Sequence, residues 1–325
     1  MVNMTVKSIG KKLRRYLTDP DYRFLVGAEL GWYNHLSDEE YLRRYYRAAM
    51  GKELNLEQPE TFNEKLQWMK LHNRRPEYVQ MVDKYLARDY IAEKIGAEYL
   101  IPLLGVWEDP EQIDFAALPD QFVLKCNHNS GVGLCICRDK KTLDIPRVKK
   151  ELKKGLREDY YLKKREWPYR DVPRRIICEK YMTDSDQVET FTDYKFFCFN
   201  GEVDCVMLCL ERNTGHTKFY FFDKDWQLLR LNIRGKEAPA DFTLPKPEKM
   251  DEMFALAAKL SEGMPFARID LYNSKGQIYF GEITLFPDSG FDRNLLPETD
   301  VYFGSKLQLG EPIDEVKAEK SEKGK

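Results

Sequence analysis

The chain opens on helical periodicity. Val6, Ile9, Leu13, Tyr16 and Leu17 recur at the three- and four-residue spacing of one helix face, with Lys7, Lys11, Lys12, Arg14 and Arg15 between them. Ser37, ahead of Asp38-Glu39-Glu40, reads as the N-cap of a second helix. Thr61-Phe62-Asn63-Glu64 reads as a capping box in front of Leu66, Trp68, Met69 and Leu71. The run 81–95 predicts a further helix stopped by Gly96. After residue 100 the texture changes to short strands. Runs at 99–107, 120–126 and 134–137 are strand-like, and the loop 127–133 between the last two makes a hairpin. Residues 144–165 are helical and basic. Strands follow at 175–182 and 194–199, and Asn200-Gly201 turns the latter into 203–210. The run 219–223 pairs with 226–231, a helix spans 250–262, and 267–272 forms a hairpin with 277–284 about Asn273-Ser274-Lys275-Gly276. The expected class is α+β, with mainly antiparallel hairpins behind a helical N-terminal region.

Composition narrows this picture. A chain of 325 residues predicts about two domains. Hydrophobic residues at 42% supply a core. Lys and Arg number 52 against 54 Asp and Glu, which excludes a strongly basic nucleic-acid binder as the default. No apolar run reaches the length of a membrane span, and the early lysines and arginines interrupt any secretory leader. The cysteines number seven, without a C-x-x-C pair, so reduced thiols in a cytoplasmic protein are expected and no zinc site is. Two segments stand out locally. The first 17 residues carry five bases and no acid, which fits either a helix packed on the body with a solvated basic face or one lying on an anionic inner-membrane surface. Residues 147–175 hold twelve bases against five acids, either a solvated face or the border of a cleft for an anionic substrate. The charged tail 311–325 reads as disordered.

Chemistry concentrates in the last hairpin. Arg268 and Asp270 stand two apart on one strand, and Glu282 and Thr284 stand two apart on the next. Period-two alternation lets all four converge. Two carboxylates and a hydroxyl are hard ligands that suit Mg²⁺, and an arginine beside them suits a phosphate oxygen. The competing reading is a surface cross-strand ion pair, Arg268 with Glu282. Lys125 precedes a small glycine-containing loop whose backbone N–H groups can cradle phosphate. Lys84 and Lys195 add two more cations. No Walker A motif, Ser-His-Asp set or Cys-His set occurs. Asp184-Ser185-Asp186 matches the Asp-x-Asp string of sugar-nucleotide sites, though a turn is the better account of it.

The order of these parts resembles the ATP-grasp superfamily, in particular its TupA-like branch, over about residues 51–304. The most specific pieces are Thr61-Phe62-Asn63-Glu64-Lys65-Leu66-Gln67-Trp68, Val82-Asp83-Lys84-Tyr85 and Phe122-Val123-Leu124-Lys125-Cys126-Asn127-His128. Further along are Asp193-Tyr194-Lys195-Phe196-Phe197-Cys198-Phe199-Asn200-Gly201 and Tyr279-Phe280-Gly281-Glu282-Ile283-Thr284.

The resemblance implies an ATP-grasp fold. It divides the chain into a helical region 1–80, a small subdomain 81–182 with a phosphate flap, a subdomain 183–310 with the metal hairpin, and the tail 311–325. It implies ATP and Mg²⁺. Lys84 and Lys125 would hold nucleotide phosphates under a flap at 129–133 that includes Ser130 and Gly131. The hinge Glu179-Lys180-Tyr181-Met182 would bind the nucleotide, with the backbone of Lys180 and Met182 reading adenine and Asp186 or Glu189 on the ribose. Lys195 would approach the γ-phosphate and Arg268 the transferring group. Asp270 and Glu282 would hold Mg²⁺, helped by Thr284, where many ATP-grasp enzymes carry Asn. The segment 286–291 resembles the substrate loop, with Asp288 where glycine is usual. The implied activity is carboxylate–amine ligation through an acyl phosphate, releasing ADP and phosphate, in the synthesis of a bacterial surface polysaccharide or peptide polymer. A sugar phosphotransferase and a non-catalytic nucleotide-binding envelope protein are the alternatives.

Overall fold

The computed structural model describes residues 6–182, 193–210, 217–274 and 276–313. Six helices come first: α1 (Val6–Thr18), α2 (Pro20–Glu29), α3 (Asp38–Met50), α4 (Phe62–His72), α5 (Glu77–Val82) and α6 (Ala87–Lys94). The Ser37 side chain caps α3 by accepting from the Glu40 N–H, and Thr61 and Glu64 form the reciprocal capping box of α4. The single helix expected at 81–95 is instead two. The Asp83 carboxylate accepts from the N–H groups of Tyr85 and Leu86 at 2.8 and 3.3 Å and from the Asn127 amide at 2.9 Å. Local side-chain capping outcompetes helix continuation here, and the break sets Lys84 on a turn.

Three strands follow, β1 (Leu103–Trp107), β2 (Phe122–Cys126) and β3 (Cys135–Cys137). The basic stretch expected to be helical is α7 (Ile145–Arg157) and α8 (Tyr160–Lys164), parted at Glu158. After β4 (Ile176–Lys180) come β5 (Asp193–Phe199), β6 (Glu202–Leu210), β7 (Lys218–Phe222) and β8 (Leu228–Leu229). The strand expected at 226–231 shrinks to two residues. Trp226 is drawn into the turn with a left-handed φ of 64° and stacks on Phe222, while Asn232 caps α9 (Ile233–Glu237). Then come α10 (Met250–Ser261), β9 (Phe266–Ser274), β10 (Gln277–Thr284) and α11 (Pro297–Lys306).

Two sheets result, with every strand pair antiparallel. The smaller has the order β1-β4-β2-β3 and the larger β10-β9-β5-β6-β7-β8. β2 alternates buried and half-buried positions. Phe122 and Leu124 turn inward to pack with Val148 and Leu152 of α7. The larger sheet is gripped by α4, α10 and α11. Phe62, Phe199, Phe266 and Phe303 meet there with ring centroids 4.9–5.9 Å apart, joining α4 to β5, β9 and α11. α4 also meets the end of the described chain, since the Ile313 N–H donates to the His72 carbonyl at 2.6 Å. From residue 314 onward the tail lies outside the described residues. None of the seven cysteines forms a disulfide, and among the described residues no helix is long and apolar enough to cross a membrane.

Candidate active site

A row of directly paired residues crosses the larger sheet: Phe221, Met207, Lys195, Asp270 and Glu282. Residues paired this way share a face. The last step depends on a bulge. Phe280 pairs with Leu271, and regular pairing would set Gly281 against Asp270. The register shifts there, and Glu282 takes that place. A Cβ on Gly281 would lie 2.9 Å from the Tyr272 ring and 3.0 Å from the Asp270 carbonyl, so glycine permits the tight passage.

The converging groups form one ion network. The Arg268 guanidinium donates to both Asp270 oxygens at 2.7 and 2.8 Å, and to Glu282 and Thr284 at 3.0 Å each. The Thr284 hydroxyl donates to Glu282 at 3.2 Å. The Lys195 ammonium bonds Asp270 and reaches Asp193 at 2.7 Å. The cross-strand pair of Arg268 and Glu282 is thus present, as one contact among several. Burial, only partly offset by Arg268 and Lys195, pushes Asp270 up to about 6. Burial also opposes ionisation of Glu282, but Arg268, Lys84, Lys195 and the Thr284 hydroxyl outweigh it and bring that carboxyl down to about 2. Removing one of the buried pair Lys195 and Asp270 costs about 3–5 kcal/mol, because its partner is left uncompensated.

The smaller sheet supplies the opposing cations. Lys125 pairs with Glu179 at 2.6 Å, and Arg88 approaches the same carboxylate at 3.7 Å. Val123 pairs with both Ile136 and Glu179, so these three share a face with Lys125. Ile136 is 49% exposed, which leaves an open apolar patch beside that ion pair. The loop after β2 is pinned at its base. Asn127 donates to Asp83 and to the Pro173 carbonyl, His128 contacts the Glu158 carbonyl, and Asn129 donates to that of Gly155. Its tip, Ser130 and Gly131, is exposed. The Lys84 ammonium donates to the Asn129 carbonyl at 2.7 Å, and burial lowers its pKa against the pull of Glu282. The Lys180 N–H is committed to the Pro102 carbonyl at 2.9 Å, so only its carbonyl is left for a ligand. Met182 is half-buried, and Asp186 and Glu189 lie outside the described residues.

A cavity of about 370 Å³ is lined by Ser130, Lys195, Arg268, Glu282, Asp288 and Asp292, among others, while Lys84, Lys125 and Asp270 lie outside its lining. No residue of 147–175 lines it. The apolar side of α7 packs on the smaller sheet, and Lys149 and Lys153 pair with Glu111 around a separate hollow. Of the two readings of that basic stretch, Lys149 and Lys153 fit the solvated face.

Sequence reading missed Asp193 and Asp292, and missed what holds the loop after β10. Asp288, Ser289 and Gly290 take consecutive left-handed φ values of 45, 55 and 69°. That loop is shaped by α4. Gln67 donates to the Ser289 and Gly290 carbonyls, Lys70 to that of Ser289 at 2.7 Å, and Asn63 exchanges two hydrogen bonds with the Asp292 backbone. The Ser289 hydroxyl donates to buried Glu166 at 2.5 Å. Burial takes Lys70 down to about 7 although Glu166 opposes the shift, and it raises Glu166. The available signal was the run of amide and charged side chains inside an otherwise apolar helix.

Among the described residues no group of three or more His, Cys, Asp or Glu could hold a metal ion. Asp270, Glu282 and Thr284 still offer hard oxygens. Such a donor set fits Mg²⁺, which binds through one or two carboxylates and completes its shell with phosphate oxygens and water.

No curated protein matches the chain. Among solved structures, the D-alanine–D-alanine ligase of Bacillus anthracis complexed with ATP is 17% identical, over 70% of this chain and 63% of that one, with a TM-score of 0.43. The match therefore spans less than two thirds of that relative. The D-alanine–D-alanine ligase of Helicobacter pylori is 13% identical over 76% and 69%, at 0.42, and the D-cycloserine synthetase DcsG 15% over 71% of each chain, at 0.40. The TupA-like ATPgrasp model matches residues 64–308, from the capping box of α4 to just past α11. With three quarters of its length inside that match, the chain belongs to the TupA-like ATP-grasp family.

Proposed function

We propose that the protein is an ATP-dependent carboxylate–amine ligase. The observation that carries this reading is the convergence of Lys195, Arg268 and Glu282 with the flap residue Ser130 and the loop carboxylates Asp288 and Asp292 on one cavity. A carboxylate resists amine attack because oxide is a poor leaving group. Transfer of the ATP γ-phosphoryl onto it gives an acyl phosphate, from which an amine displaces phosphate. That chemistry asks for cations around the phosphates, in-line positioning and exclusion of water.

In this reading Lys84 and Lys125 hold the nucleotide phosphates, and the backbone at Ser130 and Gly131 closes over them. Val123 and Ile136 offer the adenine an apolar face, while the Lys180 carbonyl and Met182 contact its edge. Asp186 would serve the ribose. Mg²⁺, held by Asp270 and Glu282 with Thr284, would neutralise charge on the transferring phosphate. Lys195 and Arg268 stabilise the phosphoryl group in flight. Asp288 and Asp292 give the acceptor end of the cavity negative charge, which suits an amine and repels a second carboxylate. The family resemblance supports a surface polysaccharide or peptide polymer as the context, with the reaction on the cytoplasmic side.

The test is interception. Protein, Mg²⁺-ATP, a panel of uronic and amino acids and hydroxylamine should yield a hydroxamate with ADP and phosphate. A stable phosphate ester without hydroxamate would assign a phosphotransferase instead. Nucleotide binding without turnover across the panel would assign a binding protein.

A further inference from the structure

We propose that α1 docks the protein onto an anionic lipid bilayer. Leu13 and Leu17 lie one turn apart on the same side of α1, and they are 58% and 67% exposed. A helix packed on the body would bury them. Tyr16, on the neighbouring edge, is half-buried instead.

The helix is fastened in this pose by its polar side. The Arg15 guanidinium lies 4.5 Å from the Tyr22 ring centroid and pairs with Asp19 at 3.2 Å. The Arg23 guanidinium donates to the Tyr16 and Leu17 carbonyls at 3.1 and 2.8 Å, closing the C-terminal end of α1. α2 thus grips the backbone and leaves the leucines turned outward.

Charge identifies the occupant. Residues 7–15 carry five bases, and no acid precedes Asp19. Lys11 and Arg14 are exposed beside the leucines. A second copy of this helix would bring the same positive charge against itself. An anionic bilayer takes both features, with the leucines entering the acyl boundary and the basic side chains meeting the headgroups. The inference is independent of the ligase reading.

The experiment is co-sedimentation of the full chain with vesicles of phosphatidylglycerol and phosphatidylcholine, against phosphatidylcholine alone. We expect pelleting with the anionic vesicles only, weakened by salt. Leu13→Ser with Leu17→Ser should reduce partitioning at least about tenfold, given the apolar area removed. Lys11→Glu with Arg14→Glu should do the same, with unchanged melting temperatures throughout. No pelleting of the wild type with anionic vesicles, equal pelleting with neutral ones, or equal pelleting of the leucine variant would overturn the proposal. A dimer in sedimentation velocity that the leucine variant dissolves, without vesicle binding, would assign the face to a second copy.

Discussion

The Gln67 side-chain amide donates to the carbonyls of Ser289 and Gly290, at 3.1 and 2.6 Å, across 222 and 223 residues of chain. Both acceptors belong to a loop whose backbone is left-handed at three successive residues. Two of those residues carry a Cβ and pay for the conformation. The loop therefore keeps its shape because α4 holds it, and its shape is what turns Asp288 to the cavity.

Gly290 is expected to be intolerant. A Cβ there would lie 2.3 Å from the Gln67 amide nitrogen, at a positive φ. Gly131 also has a positive φ but meets nothing within 4 Å. Gly131→Ala should cost only about 1 kcal/mol, and Gly290→Ala clearly more. Thermal melts of the two variants test this, and equal losses would contradict the clash.

Asp270→Asn and Glu282→Gln should each lower ATP turnover at least about a hundredfold, since each removes a carboxylate proposed to hold the Mg²⁺ that neutralises the transferring phosphate. Circular dichroism should show a retained fold. Near-normal ADP release from both would move the chemistry away from this hairpin.

Lys84→Met and Lys125→Met should weaken ADP binding by roughly tenfold or more, the scale of one lost charge-assisted contact. Calorimetric titration reads this directly. Affinities within a factor of two of wild type would remove these lysines from the phosphate site.

Lys70 predicts a pH dependence of stability. Burial lowers its pKa from 10.5 to about 7. Between those values the unfolded chain holds a proton that the folded chain has released. Stability then rises with pH across that interval, by up to about 1.4 kcal/mol per unit, and the gain is lost as pH falls through 7. Glu166, raised by burial, acts in the opposite sense at lower pH. Urea unfolding at neutral and alkaline pH should show a flatter profile for Lys70→Met than for wild type. Superimposable profiles would mean that Lys70 keeps its proton.

Local patterns were legible in the sequence, and long-range ones were not. The capping box at Thr61, the Asn200-Gly201 turn and the final hairpin depend on neighbours within a few residues. The pairing of Arg268 with Asp270 followed from strand alternation. The bulge that sets Glu282 opposite Asp270 did not, because a glycine in a strand does not announce a register shift. The break at Asp83 was hidden as well, because its carboxylate is held partly by Asn127, 44 residues away. Burial of Lys70 and Glu166 contradicts what charged residues usually do, and only the folded loop around them accounts for it.

The grip of α4 on the loop after β10 also orders events in time. As the chain leaves the ribosome, Asn63, Gln67 and Lys70 emerge more than two hundred residues ahead of the Ser289, Gly290 and Asp292 carbonyls they bind. Until then the Asn63 and Gln67 amide N–H groups have only water to satisfy them, and the aromatic hub around Phe62 lacks Phe266 and Phe303. Such distant partners make folding slow and leave apolar surface open while it waits. The side of the cavity that carries Asp288 and Asp292 is therefore built late, so a nascent chain would hold the lysines proposed for nucleotide phosphate before the end proposed for the acceptor.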